Sequence, residues 1–142
     1  MYSNKIAPNY PNKKAVLVFP ELSYQIVGLL FEVHTQLGGS FQEKHYQRAV
    51  EKLLLKNNIK YSKELKAPIS FEGEQIANFF LDFLIDNKLI LELKAVPKLL
   101  PIHFRQVRTY LKTKNLELGI LANFRGEKLT YQRILNRTDS DH

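Results

Sequence analysis

Between Gln75 and Ala95 the chain holds two strongly apolar runs separated by one short polar break, and each run carries charge in its interior. Asn78-Phe79-Phe80-Leu81-Asp82-Phe83-Leu84-Ile85 contains Asp82, and Leu89-Ile90-Leu91-Glu92-Leu93-Lys94-Ala95 contains Glu92 and Lys94. Two β-prone runs joined across Asp86-Asn87 read as an antiparallel hairpin. Strand side chains alternate between faces, so Glu92 and Lys94 share a face if their strand is regular. The face of Asp82 depends on the turn. A two-residue loop, Asp86-Asn87, pairs Ile85 with Lys88 and puts Asp82 opposite in face to Glu92. A three-residue loop, Asp86 to Lys88, sets Asp82 directly across from Glu92. Charged residues flanked by apolar ones are poorly explained by a solvated loop, and the expectation is an odd-length loop or a bulge. The plainer alternative is a charged stripe on the exposed face of a half-buried sheet.

The surrounding sequence supplies helices to cover such a sheet. Ile26, Leu30, Val33 and Leu37 recur at helical spacing over Leu22 to Leu37, and Gly38-Gly39 ends that helix. Glu32 lies beside this apolar stripe. Ser40-Phe41-Gln42-Glu43 has the form of a capping box opening a second helix that runs to about Lys56, with Tyr46, Ala49, Val50, Leu53 and Leu54 on its apolar side. Further β-prone runs, Ile59 to Leu65 and Ala67 to Phe71, lead through a turn at Glu72-Gly73 into the hairpin. Leu100, Phe104, Val107 and Leu111 mark a third helix from about Leu99 to Lys112, with Pro101 in its first turn. Leu116 to Ala122 and Lys128 to Leu135 are two last strands around Arg125-Gly126. The order α-α-β-β-β-α-β-β describes a mixed α/β (α+β) domain with helices against one curved sheet. Residues 1–21 are a polar lead-in, 22–135 the domain and 136–142 a frayed tail.

Size and charge narrow the function. A chain of 142 residues, 44% hydrophobic, has room for one domain with a real core. The absence of cysteine excludes a disulfide scaffold, a thiol nucleophile and a Cys-ligated metal. No apolar run approaches the roughly 20 residues that cross a bilayer, and the expectation is a soluble, cytoplasmic protein with no membrane partner. The formal net charge of +7 points toward polyanions. Residues 98–137 hold nine Lys or Arg against two acids, whereas residues 1–97 are nearly balanced. Lys98, Arg105, Arg108 and Lys112 lead this stretch and are its candidate phosphate contacts. A solvated basic face with no ligand is the competing explanation.

If Asp82 and Glu92 converge beside Lys94, they form a tool for phosphodiester chemistry. Paired carboxylates hold a hard cation such as Mg²⁺, which polarises a phosphate oxygen and lowers the pKa of an attacking water. The lysine adds positive charge near that water or near the phosphorane.

Asp82, followed ten residues later by Glu92-Leu93-Lys94, resembles the Asp…(Asp/Glu)-x-Lys motif of the PD-(D/E)XK nuclease superfamily, with Leu81 where proline usually precedes the aspartate. The α-β-β-β-α-β core of that superfamily, a restriction-endonuclease-like central mixed sheet flanked by helices, agrees with the order above. The resemblance is closest to the bacterial GxxExxxY family of nucleases. It is carried by Ile26-Val27-Gly28, Phe31-Glu32-Val33-His34, Leu37-Gly38, Phe41-x-Glu43-x-x-Tyr46, Asp82, Glu92-Leu93-Lys94-Ala95 and Leu118-Gly119-x-Leu121-x-Asn123-Phe124. Ser40 stands where that family usually has glycine, a change compatible with a helix cap.

The resemblance implies that Asp82 and Glu92 ligate Mg²⁺ or Mn²⁺, that Lys94 orients or activates water, and that Glu32 supplies a further carboxylate. It also implies site support from Gln106 and Tyr110, four apart on one face of the third helix as in a Gln-x-x-x-Tyr element. Glu43 is accounted for as a cap, and His34 and His103 read as surface helix residues. The implied partner is nucleic acid, DNA foremost, and a homodimer is expected because many superfamily members dimerise. The alternative is a catalytically inactive nucleic-acid-binding or partner-binding module on the same fold.

Overall fold

The computed structural model describes residues 18–136. Most of the expected lead-in (residues 1–17) and of the expected tail (137–142) lie outside the described residues. The elements are α1 (Pro20–Leu37), α2 (Glu43–Lys56), β1 (Tyr61–Phe71), β2 (Glu74–Ile85), β3 (Leu89–Lys94), α3 (Pro101–Lys114), β4 (Leu118–Asn123) and β5 (Thr130–Leu135). This is the order read from the sequence. The five strands form one mixed sheet in chain order, with only β3 and β4 parallel. A parallel pair requires a crossover, and α3 supplies it.

The apolar patterning explains which helix covers which face. Leu89, Leu91 and Leu93 of β3 pack with Ile26, Leu30 and Val33 of α1 and Tyr46, Val50 and Leu54 of α2. Ile90, on the opposite face, packs with Val107, Tyr110 and Leu111 of α3, together with Leu121 and Ile134. Central strands covered on both faces read as nearly continuous apolar runs, which is why Leu89 to Leu93 and Leu118 to Ala122 lack a clean alternation. Each such Leu or Ile, fully buried, stabilises the fold by about 1.5–3 kcal/mol.

The α1–α2 connection is locked onto the β4–β5 turn. Gly38, at φ 76, caps α1, and its N–H donates to the His34 carbonyl (2.8 Å). His34 is buried, not a surface residue as its sequence position implied: its Nε2 lies 3.1 Å from the Phe124 carbonyl and 3.0 Å from that of Gly126. Gly126 N donates to Gly39 O (3.1 Å). Tyr46 stacks on Phe124 with ring centroids 4.4 Å apart, while its hydroxyl donates to Gly38 O (2.6 Å) and accepts from Phe41 N (3.1 Å).

The entry to α2 differs from the capping box expected at Ser40. Gln42, not Ser40, precedes the first turn of α2, and the His45 ring accepts from Gln42 N (3.2 Å). The extended loop from Gly38 carries the chain two residues further before the helix begins, so Ser40 stays exposed and Glu43 becomes the first residue of α2.

Two glycines should therefore respond oppositely to alanine. A Cβ on Gly39 would collide with the Gly126 carbonyl, a backbone atom with little freedom to retreat. Gly39→Ala should cost about 1–3 kcal/mol, which thermal unfolding reads as a Tm lower by roughly 5 °C. A Cβ on the exposed helical Gly28 meets nothing within 4 Å, and Gly28→Ala should stabilise by about 0.5–1 kcal/mol.

Candidate active site

The turn between β2 and β3 settles the open question of faces. Asp86 and Asn87 both adopt left-handed conformations (φ 51 and 56), and Lys88 N donates to Ile85 O (2.9 Å). Ile85 then pairs with Leu89, Leu84 with Ile90 and Phe83 with Leu91. The loop is the three-residue one, and the next positions along are Asp82 and Glu92, directly across from each other.

At that position the regular ladder ends and side chains take over. Glu92 Oε1 accepts from Asp82 N (2.9 Å), and Asp82 Oδ2 accepts from Leu93 N (2.7 Å). Each carboxylate thus satisfies a backbone donor at the opening of the sheet, where an unpaired N–H would be costly. A change of face in the neighbouring strands accompanies the opening. Phe83 and Ile85 lie in the α1/α2 core, yet Leu81, which a regular strand would keep with them, lies in the α3 core. Likewise Tyr61 packs on one side and Ala67 on the other, with Glu64 between them at φ 58. A left-handed residue rotates the chain, and β1 and β2 turn together at the level of Asp82.

The rotation directs Asp82 toward α2. Its Oδ1 accepts from Gln47 Nε2 (2.7 Å), which also lies 3.4 Å from Glu43 Oε1. Lys94 Nζ stands 3.3 Å from Glu92 Oε2, and this pair is well shielded, with side chains 17% and 4% exposed. Burial pushes the Asp82 carboxyl up to about 6, and the nearby Glu43 carboxylate adds to the effect against the lowering by Leu93 N–H. Burial foremost, then the Asp82 charge, raises Glu92 to about 8, with Lys94 opposing.

This is a site short of positive charge. Among the described residues no group of three or more His, Cys, Asp or Glu is arranged to hold an ion. The donor set is instead two carboxylates, which fits Mg²⁺: that ion keeps several waters and takes one or two protein carboxylates. Each of the four oxygens accepts one hydrogen bond or ion-pair contact, leaving lone-pair capacity for a cation.

The other expected residues divide. Glu32 is exposed on α1 and its Oε2 accepts from Gln36 (3.3 Å), so it does not join the carboxylate pair. Its place near the apolar stripe was a property of helix spacing and did not determine direction. Gln106 is half-buried on α3. Tyr110 is packed into the α3 core, where burial raises its pKa. Lys98 lies exposed in the loop after β3, and Arg105, Arg108 and Lys112 are exposed on α3.

Sequence reasoning passed over four residues near the pair. Gln47 reaches Asp82 from α2, and Glu43, one turn before it, lies against Gln47 and acts on Asp82 through its charge; the capping assignment hid the glutamate. His103 is half-buried, its pKa lowered by burial and by Lys94, while the Glu43 charge acts the other way; its Nδ1 accepts from Leu100 N (2.9 Å). Asn123 holds the segment after Lys94: Oδ1 accepts from Val96 N (3.1 Å), and Nδ2 donates to Val96 O (2.8 Å). A polar residue ending the apolar run Leu118 to Ala122 was the available signal for it.

The model of the PD-(D/E)XK nuclease superfamily matches residues 20–134. The chain belongs to that superfamily. Its restriction-endonuclease-like fold, a five-stranded mixed sheet flanked by helices, is shared with the crystal structure of SSO0001, which is 19% identical at a TM-score of 0.51. That match covers 99% of this chain and 64% of SSO0001, so the chain spans less than two thirds of that protein's length. An alkaline exonuclease (LHK-Exo) from Laribacter hongkongensis is 11% identical at a TM-score of 0.48, over 97% of this chain and 77% of that one. No curated protein matches the chain.

The raised carboxyl pKa values set the sign of a pH effect on the PD-(D/E)XK domain free of metal. In the unfolded chain Asp and Glu titrate near about 4; folded, Asp82 and Glu92 titrate near 6 and 8. Between those values the folded state binds more protons, so stability falls as pH rises through the window. In EDTA, Tm should drop by roughly 5 °C or more from pH 5 to pH 8. Asp82→Asn should flatten that decline.

Proposed function

We propose that this protein is a divalent-metal-dependent nuclease that hydrolyses phosphodiester bonds of nucleic acid, DNA foremost. What carries the reading is the convergence of Asp82, Glu92 and Lys94 where the β2–β3 ladder opens. Asp82 and Glu92 would hold Mg²⁺ or Mn²⁺. When bound, the ion supplies polarisation of a phosphate oxygen and an acidified water. Lys94, held 3.3 Å from Glu92 and largely shielded from solvent, places a cation where the attacking water and the developing phosphate charge meet. Gln47 fixes the Asp82 carboxylate by its 2.7 Å hydrogen bond, and Glu43 adds negative charge at the same end of α2. Gln106, one turn beyond His103, enters the proposal as site support, and Tyr110 supports it by anchoring α3.

Lys98, Arg105, Arg108 and Lys112 are proposed to contact the substrate backbone. Membership of the GxxExxxY subgroup and a cytoplasmic location complete the reading. Among the described residues no helix is long and apolar enough to cross a membrane. A homodimer is also proposed. It is supported by the outer β1–β2 ribbon, where Ile69, Phe71, Ile76 and Phe80 remain 40–65% exposed.

With Mg²⁺ or Mn²⁺ the wild-type protein should cleave plasmid or single-stranded DNA, and folded Asp82→Asn and Lys94→Ala proteins should lose roughly 100-fold or more of that rate. Undiminished cleavage by Asp82→Asn would overturn the assignment, and binding without cleavage by the wild type would favour the inactive module. Light scattering should give twice the 16.6 kDa chain mass, falling to a monomer in Phe71→Ser/Ile76→Ser; a wild-type monomer at working concentration sinks the dimer.

A further inference from the structure

Asp82 is approached along a groove that lies on the α2 side of the sheet, away from the basic stretch singled out in the sequence. A cavity of about 220 Å³ beside Asp82 is lined by Lys44, Gln47, Arg48 and Glu51 of α2 with Lys63 and Glu64 of β1. It continues into one of about 650 Å³, where Arg48 and Lys63 recur and Lys52 joins them. Lys44, Arg48 and Lys52 fall at i, i+4 and i+8, on one helix face. Their backbone positions step along the axis by roughly 6 Å, comparable to the distance between successive phosphates of an extended single strand.

The charges of the groove sort simply. Lys63 is tied to Glu51 (3.0 Å), which also accepts from the Tyr61 hydroxyl (2.6 Å). Lys44, Arg48 and Lys52 have no ion pair among the described residues, although the Arg48 charge also helps to hold the Glu51 carboxyl low, and Glu64 is the one acid lining the groove beyond Glu51 and Asp82. Three exposed cations therefore line a channel whose inner end is the Asp82 carboxylate.

We propose that Lys44, Arg48 and Lys52 form the track that holds the phosphate backbone of one nucleic-acid strand as it enters the site. The role of the inner end rests on the nuclease reading; binding along α2 does not. The contacts are to phosphates and not to base edges, so the track is indifferent to sequence.

The test is fluorescence anisotropy with a short labelled single-stranded DNA in EDTA, titrated with salt. The variants are the triple Lys44→Ala/Arg48→Ala/Lys52→Ala and, for comparison, Arg105→Ala/Arg108→Ala/Lys112→Ala. All six positions are exposed and helical, where alanine favours the helix, and circular dichroism verifies folding. The α2 triple should bind roughly ten-fold or more weakly, with a salt slope smaller by about 2, the value for three lost phosphate contacts on a single strand. The α3 triple, which removes the other proposed backbone contacts, should lose clearly less affinity than the α2 triple, and unlabelled single strand should displace the probe better than duplex. Wild-type affinity and slope in the α2 triple, equal losses in the two triples, or equal competition by duplex would each overturn the track. If the α2 triple binds normally while cleavage still requires Asp82, the track fails and the nuclease reading stands. If binding depends on the α2 triple but the wild type never cleaves, the track stands and the nuclease reading fails.

Discussion

The arrangement depends on an exchange of hydrogen bonds at one level of the sheet. Where β2 and β3 part, two backbone N–H groups lose their regular partners, and the carboxylates of Asp82 and Glu92 accept them. This ties one oxygen of each acid to backbone and gives each carboxylate a fixed direction. It also leaves them buried and mutually repelling, with the Lys94 charge opposing both. The structure thus holds an electrostatic deficit in place by means of satisfied hydrogen bonds and a core packed on both sides. A cation would relieve that deficit without moving the backbone.

The α1–α2 connection serves the same end from further away. Its extended course sets the start of α2 at Glu43, which brings Gln47 against Asp82 with Glu43 beside Gln47. That course is fixed by the Tyr46–Phe124 stack, by His34 on two carbonyls and by the close approach of Gly39 to Gly126. The glycine and tyrosine around the second helix are therefore packing residues, whereas the glutamate among them faces the site.

Much of this was legible in the amino-acid order. Helical periodicity located α1, α2 and α3, and the apolar runs located the strands, because burial imposes a period on residues that must reach the core. The spacing of Asp82, Glu92 and Lys94 left two registers, and the requirement for a shared face selected the three-residue turn. What the sequence did not disclose was direction around a helix near a stripe's edge, which placed Glu32 in solvent. It also concealed the start of α2, since Ser40 and Gln42 both offer polar side chains at a helix entrance. The concerted change of face at Glu64 and Asp82 was hidden for another reason: it arises from a left-handed backbone at a non-glycine residue, which no apolar pattern records.

The three-residue turn at Asp86 to Lys88 couples chemistry to burial. Removing one residue there would carry Glu92 and Lys94 to the other side of the sheet, but it would also exchange the environments of Leu89, Ile90, Leu91 and Leu93, all fully buried. The hydrophobic effect therefore acts as an error check on the site. A slipped hairpin cannot persist as a folded but misassembled protein, because the displacement that scatters the carboxylates and lysine also breaks up both cores.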